Sequence, residues 1–350
     1  MNISPLDLAP ITRHLRAMAG SRVLISAVHH IRVFEALQSG PLSLEALAQR
    51  LGLKERPAMV ILPALCAMGM LAFNQEGQLQ LTPLGNFLTT HQQPNLVGYV
   101  GLEKDDPGVL ELTDFLRNDG PADVSRGVSY VKDAEAPSPM DNPEAARFLT
   151  MALAGRAEYL APVVAGKLPR SKGHLLDVAG GTGFFTYEWL LANPDATATV
   201  FDRPEVLKVA RELLANFCNS GRRGAAGVRE RVNLMAGDML TDELPAADLL
   251  LAASLFHDWP TPTCIELARK FAASLKPGGE LWVHDAFLND TLDGPLANTD
   301  YSVVLFTRTK GRIYSRQETR NWFRQAGLIP TTENIPTLMD YGLISARKPN

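Results

Sequence analysis

The stretch His174-Leu-Leu-Asp-Val-Ala-Gly-Gly-Thr-Gly-Phe-Phe-Thr186 constrains the chain more than any other. It reads as a short buried strand to Val178, a turn holding Gly180, Gly181 and Gly183, and a helix from about Phe184 that stops at Asn193-Pro194. A strand, a glycine turn and a helix N-terminus make a nucleotide site, because backbone without Cβ atoms lets a ligand approach closely. The dinucleotide fingerprint would place glycine at 186, where this chain has Thr186. Asp177, just before the turn, would repel a pyrophosphate and suits a ligand that carries positive charge.

Two more strands point the same way. Thr197-Ala-Thr-Val-Phe-Asp202 ends in an acid that can accept hydrogen bonds from both ribose hydroxyls. Arg231-Val-Asn-Leu-Met-Ala-Gly-Asp238 ends in another, with Met239 beside it to pack on a base. Consecutive strands that each finish with an acid at one sheet edge describe a cationic adenosine ligand. Strand–helix alternation from about Gly166, with strands near 174–179, 197–202, 231–236, 247–253 and 280–286, predicts a doubly wound α/β sheet. A last pair near 329–336 and 341–347 lacks an intervening helix and is expected to form a hairpin-like edge.

Asp177-Val-Ala-Gly-Gly-Thr-Gly183, Asp202-Arg-Pro204, Gly237-Asp-Met239, His257-Asp-Trp259 and Leu275-Lys-Pro-Gly-Gly279, in this order and spacing, give the chain its likeness to a known family. It resembles the class I S-adenosylmethionine-dependent O-methyltransferases related to the caffeate and hydroxyindole enzymes, over nearly its whole length. The resemblance implies a Rossmann-like, seven-stranded methyltransferase sheet behind an N-terminal, mainly helical winged-helix domain. It implies S-adenosylmethionine as cofactor, held by Asp177, Gly180, Gly181, Gly183, Asp202, Asp238, Met239 and Ala253. Two departures are Ala179, where a glycine is common, and Arg203, where an apolar residue is usual near the adenosine.

The expected organisation is a dimerisation domain over 1–100, a helical connection bordering the acceptor pocket over 101–165, and a cofactor domain over 166–350. Met18 to Leu37 has helical apolar spacing. Ser43 can cap a helix of Leu44, Leu47, Ala48 and Leu51 that ends at Gly52. A helix over Arg56–Met68, which Pro63 should kink, and two short strands around Glu76-Gly77 complete a winged helix-turn-helix. Such a unit can read DNA, but after Arg56 its second helix offers no Arg, Lys, Asn or Gln to bases or phosphates. Its apolar surface suits dimerisation, as in the resembling family, or plain core packing. His29 and His30 point about 100° apart on a helix and cannot share one metal. Leu102 to Met140 is expected to be partly irregular, and Asn142 to Leu160 helical.

Chemistry centres on Ser254-Leu-Phe-His257-Asp258-Trp259-Pro260, at the C-terminal end of strand four and so on the ligand side of the sheet. Ionising a phenol at pH 7 costs about 3 pK units, or roughly 4 kcal/mol, and an imidazole near pKa 6.5 can take that proton as the oxygen attacks. The bland alternative for His257 is a residue next to a helix cap, satisfied by backbone. Asp258 is expected to cap the helix beginning near Thr261, though it could also orient His257. The resemblance implies two acids beside the histidine: one falls at Asp285, the other at 313, where this chain has Ile313. His284 points to the opposite face of its strand. The resemblance also places Phe148, Met151, Asn298, Tyr301 and Leu305, with Phe306, in the acceptor pocket, although helix packing accounts for the apolar ones equally well.

A formal net charge of −4 gives no basic footprint, which disfavours nucleic acid as a partner. The apolar run Leu249–Phe256 is too short to span a bilayer, and no signal sequence opens the chain, so a cytoplasmic protein without a membrane partner is expected. Three scattered cysteines suggest reduced thiols, and no ligand spacing suits a metal. The expected function is methyl transfer to a hydroxyl of an aromatic or polyketide-like small molecule by a homodimer. Methyl transfer to carbon or nitrogen, use of the cofactor without methylation, and a cofactor-sensing DNA-binding regulator are the alternatives.

Overall fold

A computed structural model of the chain describes residues 6–120 and 138–350. They form two units, one of residues 6–120 with Phe287–Arg316, the other of residues 138–286 with Gln317–Asn350.

The first unit opens with α1 (Ala9–His29). The helix expected to run on to Leu37 breaks instead: Arg32 takes a left-handed φ of 65° before the short α2 (Val33–Ala36). That turn buries Val33 and Phe34 completely. Ser43 accepts from the Ala46 amide to start α3 (Leu44–Leu51), and Gly52 at φ 66° ends it. α4 (Glu55–Ala67) follows, with Pro63 inside it. β1 (Leu71–Phe73) and β2 (Leu79–Leu81) pair antiparallel as the wing. The unit is a winged helix-turn-helix, continued by α5 (Pro83–Asn86), α6 (Val97–Val100) and α7 (Pro107–Asn118), which the Asp106 side chain caps. α7 thus lies within the connection expected to be irregular, of which residues 121–137 are outside the described ones.

α4 is interior on almost every side, with Pro57 through Cys66 buried. Its apolar character is core packing, not a dimer surface. Exposed apolar residues sit instead on α1, where Ile11, Leu15 and Met18 recur at helical spacing.

In the second unit Asn142 caps α8 (Pro143–Lys167). Then alternate β3 (His174–Val178), α9 (Phe184–Ala192), β4 (Thr197–Asp202), α10 (Pro204–Cys218), β5 (Val232–Ala236), β6 (Ala247–Ala253), α11 (Thr261–Ser274) and β7 (Leu275–Ala286). Residues Phe287–Arg316 rejoin the first unit. Their helix α12 (Leu296–Phe306) adds Val303 and Phe306 to that unit's core. α13 (Arg316–Gln325), β8 (Ile329–Pro330), β9 (Ile335–Pro336) and β10 (Tyr341–Arg347) follow. The sheet order is β5-β4-β3-β6-β7-β10-β8, with β9 also on β10. The first five strands are parallel, and β10 runs antiparallel to β7. The strand expected near 329–336 is two two-residue segments separated by residues 331–334, consistent with Pro330 and Pro336, which cannot donate to a ladder. No helix among the described residues is long and apolar enough to cross a membrane.

Arg56, the cation at the head of α4, is held within its own unit. Its Nε donates to Asp119 Oδ1 at 2.7 Å, Nη2 to the Asp119 carbonyl at 2.6 Å and Nη1 to the Thr309 carbonyl at 3.0 Å. The guanidinium also lies 4.6 Å over the Phe306 ring. One side chain therefore ties the start of α4 to the ends of α7 and α12. Charged hydrogen bonds of this kind contribute about 1.5–3 kcal/mol each, so Arg56→Met is expected to lower stability by at least about 2 kcal/mol. Lys54→Ala, at an exposed neighbour, should stay within about 0.5 kcal/mol. Thermal melts of the two variants against the parent check this.

Candidate active site

β3 delivers Asp177 to the turn fully buried. Thr186, at the position where a dinucleotide loop has its third glycine, donates from Oγ1 to Asp177 Oδ2 at 2.7 Å. Asp177 Oδ1 is buried and has no hydrogen-bond partner. Burial pushes the carboxyl up to about 7; the Thr186 bond opposes this and the charge of Asp202 adds to it. The glycines are needed for space as well as for turning. A Cβ on Gly180 would lie 2.8 Å from Val200 Cγ1, and one on Gly183, at φ 76°, 2.3 Å from the Tyr187 ring. Ala179, one of the departures, adopts a left-handed φ of 53° that a glycine would hold without strain.

Asp202, at the end of β4, accepts from the Gly181 amide at 2.8 Å and the Arg203 amide at 2.7 Å. Burial raises it to about 6 against those two bonds. Asp238 accepts from the Leu240 amide at 2.9 Å and pairs with Arg203 Nη1 at 2.7 Å. Asp202, Arg203, Asp238 and Met239 line a cavity of about 140 Å³, whose wall also includes Leu255, Asp258 and Trp259. Asp177, Gly180, Gly181, Gly183 and Ala253 are not in its wall; they stand at the strand ends and in the turn beside it.

His257 sits in a 3-10 turn, Phe256–Asp258, just beyond β6, and is 3% exposed. Ser254, at φ 53°, turns the chain there, its amide donating to the His284 carbonyl at 2.8 Å. The His257 Nδ1–H donates to Asp285 Oδ1 on β7 in a short hydrogen bond. On the other side of the ring Nε2 faces Asp258 Oδ1 at 3.6 Å. Asp258 Oδ1 is buried without a hydrogen-bond partner, and burial raises that carboxyl to about 6. Burial alone would depress the imidazole; the carboxylates of Asp285 and Asp258 reverse that and hold it at about 9. The helix-cap role expected for Asp258 is absent, because α11 begins after Pro260 with no side-chain cap. The other role open to Asp258, beside His257, is the one its position fits, since the tight turn sets its carboxylate against Nε2. His284 lies on the far face, its Nε2 against Thr337 Oγ1 at 2.9 Å.

Family models match the same two regions. The O-methyltransferase domain matches residues 168–329 and the O-methyltransferase dimerisation domain residues 12–91. A solved O-methyltransferase family 2 protein from Planctomyces limnophilus, in complex with apigenin, is 37% identical with a TM-score of 0.85, covering 99% of this chain and 98% of that one. The chain belongs to the class I S-adenosylmethionine-dependent O-methyltransferases. It is therefore a methyltransferase enzyme. Among curated proteins it is similar to 3-hydroxy-5-methyl-1-naphthoate 3-O-methyltransferase of Streptomyces sahachiroi, 27% identical over 87% of this chain and 84% of that protein. The tetracenomycin polyketide synthesis 8-O-methyl transferase of Streptomyces glaucescens is 28% identical over 92% and 91%.

The residues present fit the methyltransferase cofactor: Asp177 Oδ1 is a buried acceptor without a donor, and an ammonium group is a donor with charge. The acceptor candidates fall in different settings. Phe148 and Met151 on α8 are 69% and 45% exposed, so core packing does not account for them. Tyr301 lies under the Arg16 guanidinium at 3.7 Å. Asn298 is buried with its amide donating to the Phe287 carbonyl at 2.9 Å, and Leu305 is buried too. Phe306 is core. Ile313 is fully buried, and its amide donates to Ser302 Oγ at 3.1 Å.

To receive positive charge and hydroxyl donors Asp177 and Asp202 would have to ionise, and their raised values would set the pH window. S-adenosylhomocysteine affinity is expected to rise from pH 5.5 to 7.5 as protons held at about 7 and about 6 are released. Asp177→Asn should weaken binding roughly tenfold, the effect of about 1.4 kcal/mol, and flatten the upper part of that pH dependence. Calorimetry across pH, in two buffers of different ionisation heat, checks both affinity and proton release.

Proposed function

We propose that the enzyme methylates a hydroxyl of an aromatic or polyketide-like small molecule, with His257 as general base. The observation that carries this reading is a buried imidazole with one carboxylate at each ring nitrogen, in the turn whose neighbours Leu255, Asp258 and Trp259 line the cavity. Bound S-adenosylmethionine supplies the methyl group and a sulfonium positive charge. Asp177 takes its ammonium group, Asp202 the ribose hydroxyls, and Met239 with Asp238 the side of the base. Gly180, Gly181, Gly183 and Ala253 keep the backbone clear for it.

Asp285 holds the proton on Nδ1, which leaves Nε2 as the nitrogen that accepts. A phenol near pKa 10 against an imidazole at about 9 leaves a gap of about one unit, roughly 1.4 kcal/mol. At pH 7 freeing the imidazole of its own proton costs about two units more, so the pair lowers the cost of the transfer step and leaves the total ionisation cost at roughly 4 kcal/mol. As the oxygen–methyl bond forms and the sulfur–methyl bond breaks, the hydroxyl proton moves to Nε2. The charge that results faces Asp258, which takes the part that no acid at 313 can take. This supports oxygen as the methylated atom against the case that Ile313 makes for carbon or nitrogen transfer.

Phe148 and Met151 on α8 and Tyr301 on α12 are the acceptor contacts we infer, with Asn298 and Leu305 supporting α12. The relatives named for a naphthoate and a tetracenomycin polyketide, and the one holding apigenin, all concern aromatic hydroxyl compounds. We assign dimerisation to residues 1–100, the connection to 101–165 and cofactor binding to 166–350 apart from 287–316, which belong to the first unit.

His257→Ala is expected to lower kcat about 10²–10⁴-fold while S-adenosylhomocysteine affinity changes less than threefold. Turnover near the parent's would remove His257 from the role. Raised by two carboxylates, His257 is protonated below its pKa and inactive as a base, so the rate climbs with pH. Asp258→Asn deletes one of those carboxylates and should move the acidic limb of the pH–rate profile to lower pH. Separately, Leu15→Asp on the exposed face of α1 should turn a dimer into a monomer by light scattering at micromolar concentration.

A further inference from the structure

Arg203 follows the strand-end acid Asp202 and precedes α10, and its guanidinium spans two carboxylates. On one side Nε donates to Asp141 Oδ1 at 2.9 Å and Nη2 to Asp141 Oδ2 at 2.6 Å, the two-pronged geometry that only arginine offers. On the other, Nη1 meets Asp238 Oδ2 at 2.7 Å. Asp141 closes the turn Pro139–Asp141, which a capping box makes rigid: the Ser138 amide donates to Asp141 Oδ2 at 3.1 Å, and the Met140 amide to Ser138 Oγ at 3.2 Å. Ser138 and Met140 line the cavity together with Arg203, Asp238 and Met239, whereas Asp141 does not. A residue outside the cavity thus holds two of its wall residues in place through one ion pair.

We propose that Arg203 is a cofactor-affinity residue: by gripping Asp141 it fixes the Ser138–Asp141 turn as a wall of the S-adenosylmethionine site. The same guanidinium claims Asp238, so the purine at this strand end is seated by the apolar side chains of Met140 and Met239 more than by the acid. The inference rests on the reading that this cavity takes the adenosine part of the cofactor.

The test is calorimetric titration of the full-length protein with S-adenosylhomocysteine for the parent, Asp141→Ala, Arg203→Met and the double variant. Each single change is expected to weaken binding about tenfold, and the double variant to be no weaker than Arg203→Met, because both remove one pair. Asp141→Asn, which keeps the volume and loses the charge, should fall between the parent and Asp141→Ala if the alanine variant is poorly folded. Arg147→Ala breaks the neighbouring exposed pair with Glu212 and should leave affinity unchanged. Binding by Asp141→Ala and Asp141→Asn within twofold of the parent overturns the proposal, as do effects of Asp141 and Arg203 that multiply in the double variant. A parent that binds no S-adenosylhomocysteine overturns the reading of the cavity itself, which is a different result from a parent that binds and variants that match it.

Discussion

Unpaired negative charge buried at one edge of the sheet is the constraint on which the rest of this site depends. Asp177, Asp202 and Asp258 are each pushed above the ordinary carboxylate range, burial being the chief cause every time. Keeping Asp177 ionised above pH 7 costs roughly 4 kcal/mol, the equivalent of its rise from 3.8 to about 7. The fold neutralises this edge only in part: Arg203 pairs with Asp238 and its charge opposes the rise at Asp202. Thr186 gives Asp177 one hydrogen bond and Asp202 receives only backbone amides. An edge built this way favours a ligand that brings positive charge and hydroxyl donors, and it disfavours a pyrophosphate. Charge sign, more than shape, is what makes a Rossmann-like turn serve a sulfonium cofactor here.

Much of this was readable in the order of residue types, since strand, glycine turn, helix and strand-end acid follow one another in sequence and need no distant partner to be recognised. Ser43 and Gly52 marked their helix for the same local reason. What escaped was set by tertiary packing. The break at Arg32 exists because Val33 and Phe34 have a core to enter. Residues 287–316 join the first unit although they follow the fifth parallel strand, and nothing local announces that. α8 is apolar on too many sides for sequence to say that Phe148 and Met151 face outward. α4 posed the reverse problem: an apolar face that could have served a partner proved to be interior. Arg56, the cation at the head of that helix, is engaged by Asp119 and by carbonyls of its own unit.

The least legible feature is the most consequential for chemistry. From sequence, His257 is an ordinary imidazole with one acid missing from its surroundings. In the fold, the acid next to it in the chain faces Nε2, and Asp285 holds Nδ1. Two carboxylates around one imidazole have opposing effects. They raise its affinity for a proton toward that of a phenol, which removes most of the uphill cost of the transfer. They also keep it protonated near neutral pH, which lowers the fraction ready to act as a base. A positive charge brought close to the ring works against the second effect, because it disfavours the imidazolium. With His257 as the base, a sulfonium held near the ring would favour the neutral imidazole and so raise the fraction able to accept a proton.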